Sequence, residues 1–211
     1  MPDIQQTQHT RNRYNFISLI YNLMEWPIEV LWYKKWRKQF WDKVEGPSIL
    51  EIGIGTGKNI SYYPQNINVT GVDLSTNMLK RARKIVENKH LENVHLHEMD
   101  AQQLDFPADT FDETVATFAF CSVPDPVEGL REALRVTKPG GKLHLLEHML
   151  SHSSFLAGIM KTLDKPIHYL IGVHIARQTV ENVQKAGWDL QSVQVLTSNG
   201  VFRMIEAVKA E

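Results

Sequence analysis

Residues 50–59, LEIGIGTGKN, place Gly53, Gly55 and Gly57 directly after a short, largely apolar run at 48–52. Glycine at such points lets the backbone turn tightly and lets a ligand approach without a Cβ in the way. A second apolar run, 67–72, closes on Asp73, 20 residues past Gly53. A doubly wound sheet grips a pair of ribose hydroxyls with a carboxylate at that place. A third run, 94–99, closes on Asp100, which faces the next part of the same ligand, its base. The chemistry these residues can do is to hold a nucleoside.

The elements that must position them alternate. The strand at 48–52 feeds a helix beginning near Lys58, the strand at 67–72 a helix at 77–88, and the strand at 112–118 a helix at 127–136. Lys138-Pro139-Gly140-Gly141 turns into a strand at 142–147, and a further helix lies near 179–186. Such alternation implies a parallel sheet with crossover helices. The last part breaks the pattern: two strand-like runs, 191–197 and 201–209, flank Ser198-Asn199-Gly200, and Asn-Gly is a hairpin signal. The expected fold is α/β, a Rossmann-like sheet with an antiparallel C-terminal hairpin strand and N-terminal helices. At 211 residues the chain reads as one domain, with amphipathic helices over 1–45 covering the site of a core at 46–211.

The glycine spacing is G-x-G-x-G. The dinucleotide fingerprint needs glycine where Lys58 stands, and Glu51 two positions before the first glycine is a further departure. Taken together, Glu51, the glycines, Asp73, Asp100 and the C-terminal hairpin resemble the class I S-adenosylmethionine-dependent methyltransferases. The resemblance implies that Glu51, Gly53, Gly55, Thr56 and Gly57 serve the methionine portion, Asp73 the ribose and Asp100 the adenine amine. Leu74 and Met78 would pack on the adenosine. Asn59, Ala101 and Phe118 complete the cradle, and Tyr14 closes over it from the front helices. S-adenosylhomocysteine would be the product.

Residues 111–126, FDETVATFAFCSVPDP, lack the (Asn/Asp)-Pro-Pro-(Tyr/Phe) motif that base and amide N-methyltransferases carry after the fourth strand. This stretch, with YNLME at 21–25, Gly57-Lys58-Asn59 and Glu147-His148, is similar to the short bacterial phosphatidylethanolamine N-methyltransferases and to animal thiol methyltransferases. The expected reaction is methyl transfer to the amine headgroup of phosphatidylethanolamine or a related lipid. The alternatives are a small thiol or a quinone precursor as acceptor, or a non-catalytic partner protein that only binds the cofactor. Tyr21, Glu147, His148 and His174 are the candidates for the acceptor side. A protonated amine must lose a proton before it attacks, so a base is of use there.

The front piece bears on the acceptor. Trp32, Trp36 and Phe40 recur every four residues and share one helix face, interleaved with Lys34, Lys35, Arg37 and Lys38. That face either docks on an anionic bilayer or packs on the sheet. The apolar stretch at 149–172 either walls a lipid or quinone pocket or packs as an ordinary helix. No metal site is expected, since His144, His148 and His152 fall on a strand and its exit and do not converge, and Cys121 reads as a small buried residue. A net charge of −1 gives no basic surface for nucleic acid. The single cysteine fits a reducing compartment. The expectation is a cytoplasmic protein, peripheral on the inner face of the membrane, with oligomeric state left open.

Overall fold

The computed structural model describes residues 7–8, 11 and 33–211, without the side chains of residues 170 and 171. Seven strands form one sheet: β1 (Ser48–Ile52), β2 (Asn68–Asp73), β3 (Val94–Glu98), β4 (Phe111–Thr117), β5 (Thr137–His148), β6 (Asp189–Val195) and β7 (Phe202–Val208). Their order is β3-β2-β1-β4-β5-β7-β6. The first five are parallel, and β7 runs antiparallel to both β5 and β6. The order reverses between β1 and β4, so the crevice for a ligand opens at the C-terminal ends of those two strands. The glycine turn leaves β1 at that point.

The described helices are α1 (Lys34–Trp41), α2 (Thr76–Asn88), α3 (Pro126–Val136), α4 (Ser154–Ile171) and α5 (Thr179–Lys185). Their starts are set locally. The Ser75 hydroxyl accepts from the Met78 N–H at 3.2 Å and caps α2. The Asp125 carboxylate accepts from the Val127 and Glu128 N–H groups, and Pro126 sits in the first turn of α3, where its missing N–H costs nothing.

Two sequence expectations are corrected. After the glycine turn there is no α-helix near Lys58 but a 3-10 turn, Lys58–Tyr62. Pro64 explains this, because a proline pushes the preceding residue out of the helical region, and Tyr63 is extended at ψ 132°. The K-P-G-G segment lies inside β5 rather than before it. The register jumps there from Phe111–Thr137 to Glu113–Lys142, so the segment bulges out of a continuous strand.

The sheet carries a core on each face. Leu50 and Ile52 of β1 point to one side, with Leu130 and Ala133 of α3 and Val183 of α5. Trp188 on that side donates its indole N–H to the Leu130 carbonyl at 2.9 Å. Ile49 points to the other side, with Val115, Leu146 and the aromatic face of α1. Trp36 is 7% and Phe40 1% exposed, Trp36 lying against Phe202 and Phe40 against His144. The Trp36/Phe40 part of the expected lipid face is therefore core, and Arg37, counted there as a headgroup contact, is buried at 4%. Trp32, expected on the same helix face, lies outside the described residues. Lys34, Lys35 and Lys38 do face solvent. Phe40→Ala should cost about 3 kcal/mol of stability by opening a core cavity, read by chemical denaturation. A loss below about 1 kcal/mol would return this face to solvent.

Candidate functional site

One cavity opens at the switch point, and its wall joins the expected residues of three strand ends. Gly53, Gly55 and Thr56 line it after β1, Asp73, Leu74 and Met78 after β2, and Asp100 and Ala101 after β3. Asn59, Phe118 and Ala119 complete the inner side. The glycine turn is shaped for close approach. Gly53 has φ +72°, and a Cβ there would stand 2.5 Å from the Ala119 Cβ. Gly55 has φ +57°, and a Cβ there would meet nothing nearer than 3.9 Å, so its open side faces the cavity.

Asp73 is held ready by the backbone. Its Oδ2 accepts from Gly55 N–H at 2.9 Å and its Oδ1 from Ser75 N–H at 2.8 Å. Burial raises its pKa to about 6, against the lowering effect of those two bonds. Asp100 accepts from the Gln102 N–H at 2.9 Å and from the Thr7 hydroxyl at 3.0 Å. Thr7 thus lies against the expected base-binding acid, and Arg11 pairs with Glu98 beside it. A Thr7 hydroxyl on Asp100 is a contact that sequence spacing does not reveal.

Two expected cradle residues are placed elsewhere than on the cavity wall. Glu51 is fully buried on the α1 side of β1, under the floor. It accepts from the Asn59 amide at 2.6 Å and from the Tyr63 hydroxyl. Burial raises the Glu51 pKa, partly offset by those bonds and by Arg37. Its link to the cavity therefore runs through Asn59, which lines it. Gly57 adopts φ +83° behind the turn, where a Cβ would meet Ile60 at 2.7 Å and the Ala82 backbone at 3.2 Å. Its role there is close packing of the turn on α2. Tyr14 lies outside the described residues.

Two cations line the cavity that the sequence reading did not assign to it, Arg37 and Lys58. Arg37 Nη1 donates to Asn59 Oδ1 at 2.6 Å and to the Thr117 hydroxyl at 3.0 Å. Nothing local in the sequence marks this, because α1 precedes the glycine turn by a whole strand. A cation beside a glycine turn suits a carboxylate-bearing ligand, and the apolar Leu74 and Met78 suit a flat base. The donor set thus fits an amino-acid nucleoside.

The acceptor-side candidates gather behind the loop after β4. Tyr21 lies outside the described residues. Glu147 is fully buried, and its Oε1 accepts from the Ala119 and Phe120 N–H groups, both at 2.9 Å. Burial raises its pKa to about 7, with the two N–H groups and Arg177 pulling down. Its carboxylate holds the loop that walls the cavity. Phe118 at the start of that loop adopts φ +54°, an unusual conformation for a residue with a Cβ. His148 Nε2 lies 3.3 Å from the His174 carbonyl, and the His174 N–H donates to the Cys121 carbonyl at 3.0 Å. His174 Nδ1 is 2.7 Å from Asp164 Oδ2 of α4, and its ring stacks on His168 at 3.8 Å. The structure brings Glu147, His148 and His174 together and adds Asp164, which sequence reasoning missed. A carboxylate ten residues upstream in a helix gives no local signal of this pairing.

Cys121, Glu147 and His148 also offer ligand atoms within 4.8 Å of one another. Arg177 acts on Glu147 electrostatically, and its charge opposes a cation there. His144 is paired instead with Glu113 across β4 and β5 at 3.1 Å.

Residues 50–145 match a family model described as a methyltransferase domain. The chain is 42% identical over 119 residues to a phosphatidylethanolamine N-methyltransferase of Cereibacter sphaeroides, covering 56% of this chain and 59% of that protein. It is 34% identical over 143 residues to a thiol S-methyltransferase of Rattus norvegicus, covering 66% and 59%. It is 36% identical over 138 residues to a demethylmenaquinone methyltransferase of Listeria welshimeri, covering 62% and 58%. The chain thus spans less than two thirds of the length of these relatives. Among solved structures, an S-adenosylmethionine-dependent methyltransferase of Thermotoga maritima superposes with a TM-score of 0.68 at 22% identity, covering 93% of this chain and 99% of that one. A phosphoethanolamine N-methyltransferase of Haemonchus contortus in complex with S-adenosylmethionine gives 0.66 at 19%, covering 85% and 53%. At such identities these two speak for the fold.

Proposed function

We propose, since residues 50–145 match a methyltransferase-domain model, that this chain transfers a methyl group from S-adenosylmethionine to the amine headgroup of phosphatidylethanolamine or a related membrane lipid. The observation that carries the donor is the ordered set on one cavity: a glycine turn, then Asp73, then Asp100, on the ends of adjacent strands. The 42% identity to a phosphatidylethanolamine N-methyltransferase supports the acceptor. Identities of 34% and 36% to a thiol and a demethylmenaquinone methyltransferase favour a small thiol or a quinone precursor as the second reading.

The cofactor supplies an electrophilic methyl group on a sulfonium, and little covalent work is left to the protein. Arg37 and Lys58 receive the carboxylate of the amino-acid portion, Asp73 the ribose hydroxyls and Asp100 the adenine amine. Phe118 and Ala119 wall the cavity and keep water from it. A lipid ammonium must lose a proton to expose its lone pair. His174, with Nδ1 fixed by Asp164, is the base in this reading, since an imidazole so oriented has one nitrogen left to accept. Glu147 acts as a positioning residue through the Ala119 and Phe120 N–H groups.

The test is incubation of the purified protein with labelled cofactor and a panel of phosphatidylethanolamine vesicles, small thiols and demethylated quinones, with products identified by mass. Methylated phosphatidylethanolamine is expected. Label found only on a thiol or quinone would replace the lipid reading. Tight cofactor binding with no transfer to any acceptor would make the chain a cofactor-binding partner protein.

A further inference from the structure

Helix α4 turns an apolar face to solvent. Phe155 is 81%, Ile159 41%, Leu163 44% and Tyr169 77% exposed. At 3.6 residues per turn these four fall on one stripe, with Pro166 between them, running about 21 Å from Phe155 to Tyr169 at 1.5 Å per residue. Lys161 and Lys165 are exposed along one border of the stripe. The single acid of the helix, Asp164, points the other way. It is taken up by His174 and by the Ala176 N–H at 2.9 Å. Met160, 7% exposed, also faces inward. The solvent side of α4 is thus apolar and cationic, without a carboxylate.

We propose that this face of α4 is a docking surface for an anionic lipid bilayer. It rests on the reading of a membrane lipid as acceptor and supplies what that reading lacks, a place where lipid meets the protein. The pattern is that of an interfacial helix, with apolar and aromatic side chains sinking to the acyl boundary while lysines reach the headgroups. Charge selects this occupant over a second copy of the chain. A two-fold contact between copies sets the same patch against itself, so the four lysines of two copies would share one contact with no acid from either stripe to offset them. The location agrees. The inner side of α4 holds His174, whose backbone hangs from the Cys121 carbonyl, and the next residues, Ser122 and Val123, line the cofactor cavity. A lipid entering beside α4 is a few residues from the wall of that cavity.

The experiment is co-sedimentation of the full chain with phosphatidylglycerol vesicles and with phosphatidylcholine vesicles, at low and high salt. Wild type is expected to pellet with phosphatidylglycerol at low salt and to be released by salt. Ile159→Glu/Leu163→Glu should weaken binding at least tenfold, and Lys161→Glu/Lys165→Glu about tenfold. All should keep wild-type cofactor affinity, which shows that they are folded. Wild type left in the supernatant with phosphatidylglycerol at low salt overturns the proposal. So does equal binding of the Ile159→Glu/Leu163→Glu variant, or a wild-type dimer in solution that this variant splits. Turnover of monomeric short-chain phosphatidylethanolamine separates the two readings. If it proceeds without vesicle binding, docking falls and the acceptor stands. If vesicles bind through α4 and no lipid amine is methylated, docking stands and the acceptor falls.

Discussion

Asp73→Ala is expected to lower affinity for S-adenosylmethionine at least a hundredfold by titration calorimetry. Hydrogen bonds to a charged acceptor are each worth about 1.5–3 kcal/mol, and a ribose offers two. The variant also releases the Gly55 and Ser75 N–H groups that the carboxylate now holds. Asp73→Asn is the companion, since an amide oxygen keeps part of that backbone support without the charge. The acid also sets a pH dependence. Its pKa in the free protein is raised to about 6, so it is ionised above pH 6 and accepts the hydroxyls. Below pH 6 it carries a proton, and affinity should fall up to tenfold per pH unit. Asp73→Asn should flatten that limb. Equal affinity of wild type and Asp73→Ala would remove the ribose from this carboxylate.

Glu147 gives the second large effect, on stability. Glu147→Ala strands two buried N–H groups, those of Ala119 and Phe120, at about 1–3 kcal/mol each, and leaves a cavity besides. A loss on the order of 5 kcal/mol is expected by urea denaturation near pH 6. Glu147→Gln keeps an oxygen for both donors and should behave in the opposite sense as pH rises. The folded pKa of about 7 lies above the ordinary carboxyl value of 4.5. Its contribution to stability is therefore full below pH 4.5 and is lost as pH rises through 7. At about 1.4 kcal/mol per pKa unit, on the order of 3 kcal/mol is at stake. The glutamine variant has no such loss, so it should gain on wild type between pH 5 and pH 8. A stability difference between the two proteins that stays constant over that range refutes the assignment. If turnover collapses in Glu147→Gln with stability and cofactor affinity intact, Glu147 itself serves the acceptor.

Much of this site can be read from the sequence because each strand carries its own signal. An apolar run ending in Gly53, in Asp73 or in Asp100 states locally what it is, and Asn199-Gly200 states the antiparallel return of β7. Signals that depend on a remote partner are not written locally. Trp36 and Phe40 are spaced as one apolar stripe, and the spacing is the same whether a sheet or a bilayer covers it. The 149–172 stretch is apolar in the same way, yet in α4 that face is left open, while Asp164 on the inner side finds a histidine. Glu51 was visible as an acid before the glycines, but its turn toward α1 depends on the pleat of β1 and on Asn59 and Tyr63. Pro64, by contrast, is a local signal. It ends the turn after Gly57 before an α-helix can form.

The bonds of Arg37 carry one more consequence. This guanidinium leaves α1, grips Asn59 and Thr117, and through Asn59 reaches Glu51 beneath the donor cavity. Helix and floor are one hydrogen-bonded unit, so the two equilibria are linked. Whatever free energy the occupied donor site adds to the seating of α1, the seating of α1 returns to donor affinity in equal measure. Donor affinity is then a gauge of how firmly α1 is held, and a substitution on its outer side can be read there without touching a reacting atom.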